Sequence, residues 1–290
     1  MNRLPPDEWY PAGVPGISAR RVQLPDGTHL RVVEAGEETS PPIVLLHGWA
    51  VSAYLWRHTI PALAAAGWRV HVPDLPGHGL SDAPLARGGY SLTTFADRIA
   101  AFLDTLGAAA LPIVAQSMAG RIGLELARRG RAERLALFGP VGFGDINPAR
   151  AFAPFIPSLP GDLPSLLVPR RVVEVVQRRV HGKLGWFTER DIDEYWAPTQ
   201  FPNVMRAQLQ MLREFDWAPV AEPLLAALAL PALVVFGTQD RTVKPVHAER
   251  LVKLLPRGNL VWIEGGGHVV MEEAPDHTNA LLVEFLRRAA

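Results

Sequence analysis

A serine, an aspartate and a histidine in this chain each follow a predicted strand: Ser117 after residues 113–115, Asp240 after 232–237, and His268 after 260–263 and the glycines 265–267. Each type has a role in nucleophilic catalysis. A serine hydroxyl attacks poorly until a base takes its proton, and imidazole titrates in the range that suits that task near neutrality. An ionised aspartate holds the imidazole tautomer and stabilises its cation, and the histidine then returns the proton to the leaving group. Such a set transfers an acyl group to water, hydrolysing an ester, thioester, lactone or amide.

The serine carries the most local information. Residues 113–127 read Ile-Val-Ala-Gln-Ser-Met-Ala-Gly-Arg-Ile-Gly-Leu-Glu-Leu-Ala, an apolar run that breaks among small residues and resumes with helical spacing. This predicts a strand-to-helix turn that exposes the hydroxyl and leaves the following N–H groups unpaired at a helix N-terminus. Ala115 and Ala119 stand where the G-x-S-x-G pattern has glycine, and remain small enough for a strained turn.

The elements that must position these groups alternate. Residues 22–24 and 30–34 around Pro25-Asp26-Gly27 predict a hairpin, 43–46 a strand buried on both faces, 60–66 a helix, and 69–72 a further strand. A helix over 92–106, the strand and helix about Ser117, and a strand at 135–138 complete the first part. Between 140 and 228 the rhythm becomes helical, with segments 170–181, 189–196 and 203–214 and no strand signal; it returns at 232–236 and 260–263 and ends in a helix from Pro275 to Arg288. The expected architecture is a mostly parallel sheet flanked by helices, with residues 1–139 and 229–290 as core domain and 140–228 as a helical lid. Strand ends on one edge of such a sheet bring distant residues together.

At this point the chain resembles the α/β-hydrolase family over nearly its whole length outside the lid. The resemblance rests on Leu45-Leu46-His47-Gly48-Trp49, Asp74-Leu75-Pro76-Gly77-His78-Gly79-Leu80-Ser81-Asp82, Gln116-Ser117-Met118-Ala119-Gly120, Gly237-Thr238-Gln239-Asp240, and Gly267-His268 followed by Glu273-Ala274-Pro275. It implies the α/β-hydrolase fold, Ser117 as nucleophile, His268 as base and Asp240 as acid, with the N–H groups of Trp49 and Met118 forming an oxyanion hole. It also implies that His47, Asp74, His78 and Asp82 hold loops rather than take part in chemistry. Asp145, which also follows a strand, is the substitute acid; Glu264 lies on the loop and ranks below it.

Two neighbours of the serine are unusual for the family: Gln116 stands in place of histidine or asparagine, and Arg121 lies one helical turn beyond Ser117. Arg121 reads first as a buried ion pair and second as a substrate contact. Phe143, in the glycine-rich segment 138–144, and Trp186 in the lid are candidate substrate contacts alongside them. Phe152, Phe155, Phe187, Trp196, Phe201, Met205 and Met211 add to a lid rich in aromatic and soft side chains, suited to a small apolar substrate.

Composition narrows the alternatives. The 290 residues are 48% hydrophobic, with 29 basic and 29 acidic side chains, so no net field favours nucleic acid or an anionic membrane. With no cysteine there is no thiolate chemistry, and the nine histidines contain no His-x-x-x-His pair, so no metal and no other cofactor is expected. The first sixteen residues hold Asp7, Glu8 and four prolines, unlike a signal peptide, which makes a cytoplasmic monomer or homodimer acting on a small molecule the expectation. A carbon-carbon bond hydrolase of the meta-cleavage product type is the nearest alternative; a lyase, a cyclase, a haloperoxidase-like activity or a non-catalytic binding protein on the same fold stand further off. Epoxide hydrolases and haloalkane dehalogenases are disfavoured, since the resemblance places their aspartate nucleophile where Ser117 stands.

Overall fold

The computed structural model describes residues 4–146 and 168–287. Eight strands form one sheet: β1 (Ile17–Gln23), β2 (His29–Ala35), β3 (Pro42–Leu46), β4 (Arg69–Pro73), β5 (Leu111–Gln116), β6 (Ala132–Phe138), β8 (Ala232–Gly237) and β10 (Gly258–Ile263). Their order is β1-β2-β4-β3-β5-β6-β8-β10. The pairs β1–β2 and β2–β4 are antiparallel and all the others parallel. Two short strands, β7 (Asp145–Ile146) and β9 (Val243–Lys244), pair beside it. The hairpin is longer than its apolar signal because residues 18–21 of β1 are exposed and only backbone pairing with β2 defines them.

The pleat sorts the apolar runs into two cores. Val44, Leu46, Ile113, Ala115, Leu135, Leu137, Val234 and Phe236 pack on one face, whereas Ile43, Leu45, Val114, Ala136, Phe138, Leu233 and Val235 pack on the other. Helices α2 (Leu92–Thr105) and α3 (Met118–Arg128) cover the first face through Phe95, Ile99, Phe102, Ile122 and Leu126. Helices α1 (Thr59–Ala65) and α10 (Pro275–Arg287) cover the second through Ile60, Leu63, Leu282 and Leu286. Both faces of β5 are thus buried, and Ser117 sits at its end in the middle of the sheet.

Between β7 and β8 lies a helical insertion of α4 (Arg170–Val180), α5 (Glu189–Trp196), α6 (Pro202–Glu214) and α7 (Glu222–Ala227). Helix α5 starts at a capping box between Thr188 and Asp191, which satisfies donors at its N-terminus reciprocally. Ile192 and Tyr195 join one core and Ala207 and Met211 the other, so this cap straddles the end of the sheet. A buried polar network also fastens it. Arg57 pairs with Asp191 at 2.8 Å and with Glu272, Tyr54 Oη donates to Asp191 at 2.7 Å, and Tyr195 Oη donates to Glu272 at 2.5 Å. Phe152 and Phe155 lie outside the described residues. Helices α7, α8 (Ala248–Val252) and α9 (Val270–Glu273) are four to six residues long, too short to produce a readable helical period.

Candidate active site

The turn at Ser117 is built from close backbone approaches. Ser117 has φ 53° and ψ −119°, a conformation costly for a side chain bearing Cβ, by about 1–3 kcal/mol. Its N–H donates to the Phe138 carbonyl at 2.9 Å, and its carbonyl accepts from Gly120 at 2.9 Å and Val141 at 3.0 Å. Gly120 and Gly123 let α3 press onto the sheet: a Cβ at 120 would lie 2.6 Å from Pro140 Cβ, and one at 123 would lie 2.9 Å from Leu135 Cδ1. Ala115 and Ala119 are both fully buried at this junction, which explains why only small residues stand there.

From three separate strand ends the sheet brings Ser117, His268 and Asp240 into one hydrogen-bonded relay. His268 Nε2 lies 2.9 Å from Ser117 Oγ, and His268 Nδ1 lies 2.7 Å from Asp240 Oδ2. The other carboxylate oxygen, Asp240 Oδ1, accepts from the N–H groups of Thr242 at 2.8 Å and Val243 at 2.9 Å. With both oxygens held, the carboxylate is oriented toward Nδ1, and the Nδ1–H tautomer leaves Nε2 free to accept from the serine hydroxyl. All three side chains are at least nine-tenths buried, so the relay is shielded from bulk water. Gly139, at φ 50°, lines this relay, since a Cβ there would come 3.1 Å from both Asp240 Oδ2 and His268 Nδ1.

The loop after β3 abuts the serine from the other side. A Cβ on Gly48 would lie 2.9 Å from Ser117 Cβ and 2.2 Å from Gln116 Oε1. Among the described residues neither the Trp49 nor the Met118 N–H donates to a protein acceptor, which leaves both available for an oxyanion. His47 supports this loop: it accepts from the Leu75 N–H at 2.9 Å through Nε2, which makes Nδ1 the donor to the Gly48 carbonyl at 2.8 Å. Burial pushes the His47 imidazole below its usual pKa. Burial, reinforced by His47 alongside, pushes His78 further down, so both rings stay neutral and serve as fixed hydrogen-bonding groups. Asp74 accepts from Ala53 N–H, Leu80 N–H and Arg31, and Asp82 accepts from His29 and Arg21, ties that hold loops in place.

The remaining candidates separate in space. Gln116 is buried and donates from Nε2 to the His268 carbonyl at 3.4 Å, linking the strand that leads to Ser117 to the loop that carries His268. Arg121 pairs with Asp216 at 2.5 Å and is thereby engaged within the protein. Phe143 is fully buried and belongs to the same core as Val141, Trp217 and Val220. Trp186 is 82% exposed, open to solvent rather than enclosing a ligand. Trp49 is half-buried and meets Trp217 edge to face at 6.5 Å, placing an aromatic wall beside the loop after β3. The Asp145 side chain is not among the described ones; its backbone pairs with Lys244. Among the described residues, no group of three or more His, Cys, Asp or Glu is arranged to hold a metal ion, and no helix is long and apolar enough to cross a membrane.

Three residues with no assigned role in the sequence reading stand out: Glu273, Gly182 and Gly139. Glu273 was visible in the Glu-Ala-Pro motif, yet only folding shows what it touches, which is the glycine turn before His268 and the cap.

A mostly parallel eight-stranded sheet with a serine on a strained turn between its central strand and the next helix defines a hydrolase of the α/β type. The chain belongs to the alpha/beta hydrolase fold family, whose model matches residues 41–275. It is similar to epoxide hydrolase A of Mycobacterium tuberculosis, with 28% identity covering 93% of this chain and 98% of that protein. It is also similar to the 2-hydroxy-6-oxononadienedioate/2-hydroxy-6-oxononatrienedioate hydrolase of Burkholderia vietnamiensis, with 29% identity over 91% of this chain and 93% of the relative. Among solved structures it resembles the 2-hydroxy-6-oxo-6-phenylhexa-2,4-dienoate hydrolase of Rhodococcus sp. strain RHA1, with a TM-score of 0.78 and 26% identity over 94% of this chain and 100% of that one.

Proposed function

We propose that this protein is a serine hydrolase that cleaves an ester, thioester or lactone of a small, largely apolar substrate through an acyl-enzyme on Ser117. The relay from Asp240 through His268 to Ser117, at 2.7 and 2.9 Å, carries this reading. In the first half-reaction Ser117 Oγ attacks the carbonyl carbon while its proton passes to His268 Nε2. The carbonyl oxygen becomes an oxyanion facing the Trp49 and Met118 N–H groups. As the tetrahedral adduct collapses, the bond to the leaving group breaks and His268 returns the proton to that group. Water then attacks the acyl-enzyme with His268 again as base, releasing the acid and restoring Ser117. The Trp49–Trp217 pair beside the oxyanion loop supports an apolar substrate.

The relatives that act on dienoates favour a second reading, hydrolysis of a carbon-carbon bond. An anionic substrate of that type calls for a cation at the site, and the arginine nearest in sequence to Ser117 is held by Asp216. Labelling with a fluorophosphonate, mass spectrometry of the adduct, and turnover of p-nitrophenyl esters of increasing chain length test the proposal. Modification of Ser117 and its loss in Ser117→Ala support it; an unlabelled Ser117 with unchanged turnover in the variant rejects it. A labelled protein that turns over dienoates and no esters moves the assignment to the carbon-carbon reaction.

A further inference from the structure

The loop that carries His268 is built partly from the cap. The His268 N–H donates to the Val180 carbonyl at 2.7 Å, and the Lys183 N–H donates to the Gly265 carbonyl at 2.7 Å, so cap residues 180–183 run against residues 265–268. The contact is backbone to backbone. A Cβ on Gly182 would lie 2.3 Å from Gly265 O, and a Cβ on Gly267 would lie 2.4 Å from both Gly182 N and Val180 O. Only glycine fits either position. Two N–H groups, those of Gly182 and Gly267, remain at this junction, and one carboxylate takes both: Glu273 Oε2 accepts from Gly182 and Oε1 accepts from Gly267, each at 2.8 Å.

We propose that Glu273 is a positioning residue for His268, clamping the histidine loop to the cap chain 180–183 so that Nε2 stays within reach of Ser117. The proposal rests on the serine hydrolase reading for the role of His268. Glu273 is 8% exposed and sits on α9, five residues beyond the histidine, and both its carboxylate oxygens are taken up by the N–H groups of that junction. Its neighbour Glu272 ties the same short helix to Arg57 and to Tyr195 of α5, so α9 is anchored to core and cap together. Burial raises the Glu273 carboxyl, and the two N–H donors act against that rise. The cap is therefore part of the frame of the catalytic base.

Glu273→Ala removes both acceptors, Glu273→Gln keeps one, and Gly182→Ala breaks the same junction from the cap side without touching the carboxylate. Glu214→Ala loses a cap contact that involves neither α9 nor the histidine loop, the carboxylate that accepts from the Gly88 and Tyr90 N–H groups. Four readouts apply to each folded variant: thermal melting, ester kinetics, the rate of fluorophosphonate labelling at Ser117, and the low-field NMR signal of the His268 Nδ1 proton. Glu273→Ala and Gly182→Ala are expected to lower kcat and labelling by about 10- to 100-fold with KM within about twofold, since displacement of a reacting group by about 1 Å costs that much. They should also broaden the low-field signal; Glu273→Gln should fall between them and wild type. Glu214→Ala should lower the melting temperature and leave kcat unchanged. Wild-type rates and an intact low-field signal in folded Glu273→Ala or Gly182→Ala would overturn the positioning role while leaving the hydrolase reading in place. A wild-type protein whose Ser117 fails to label overturns both.

Discussion

Arg121 and Asp216 join the helix that follows Ser117 to the segment between α6 and α7, with Nη2 2.5 Å from Oδ2. The guanidinium is nearly buried, whereas the Asp216 side chain is 46% exposed. The stem of Arg121 passes beneath Gly142, where a Cβ would lie 3.0 Å from Cδ, so the pair pins the segment after β6 as well. Asp216→Asn leaves a buried cation without its counter-charge. The expected loss is about 1–2 kcal/mol in chemical denaturation, between the values for surface and buried pairs. Arg121→Ala should change KM equally for neutral and acidic esters; a selective rise for acidic ones would reassign Arg121 to the substrate.

Asp240→Asn keeps the shape of the relay and changes its donor pattern. An amide in place of the carboxylate favours the wrong imidazole tautomer, with Nδ1 accepting and Nε2 protonated. The expected loss is about 10⁴-fold in kcat with little change in melting temperature. A loss smaller than tenfold would point to another acid.

Gly48→Ala tests the proposed oxyanion role of the loop after β3. The added methyl has no room against Gln116 Oε1 and Ser117 Cβ, so the loop must move away from the serine. A fall in kcat of about 10²-fold, with labelling of Ser117 slowed in step, is expected from the loss of one well-placed donor. Unchanged kinetics would show that the Trp49 N–H is not used.

His47 and His78 set an acid limit on stability. Their folded pKa values lie below the ordinary 6.5, so above that pH both rings are neutral in the folded and unfolded chain alike. As pH falls below about 6.5 the unfolded chain takes up protons that the folded one refuses, and stability declines. Each ring contributes a slope of up to about 1.4 kcal/mol per pH unit until its folded pKa is reached. In His78→Asn, whose amide can still donate to the Pro76 carbonyl, denaturation curves from about pH 7 to about pH 5 should show a shallower slope. An unchanged slope would mean that His78 binds its proton equally in both states.

Much of this is legible in the sequence, because it depends on order along the chain. Continuous apolar runs mark strands buried on both faces, and β3, β5 and β8 are such strands. Residues at the carboxyl ends of parallel strands share an edge whatever lies between them, so the convergence of Ser117, Asp240 and His268 follows from strand order. The small residues around Ser117 likewise announce a tight turn through their size alone.

Side-chain partners across the fold were a different matter. Arg121 could not reveal Asp216, 95 positions away, and nothing in the local pattern separates the buried Phe143 from the exposed Trp186. The clamp of Glu273 on Gly182 spans 91 positions and depends on two glycines meeting backbone to backbone. The sequence by itself determined which residues could act as nucleophile, base and acid, since period and order are properties of the chain. Only the tertiary structure decided which charges are paired, which rings meet solvent and what holds the histidine, because packing selects those contacts among many that the chain permits.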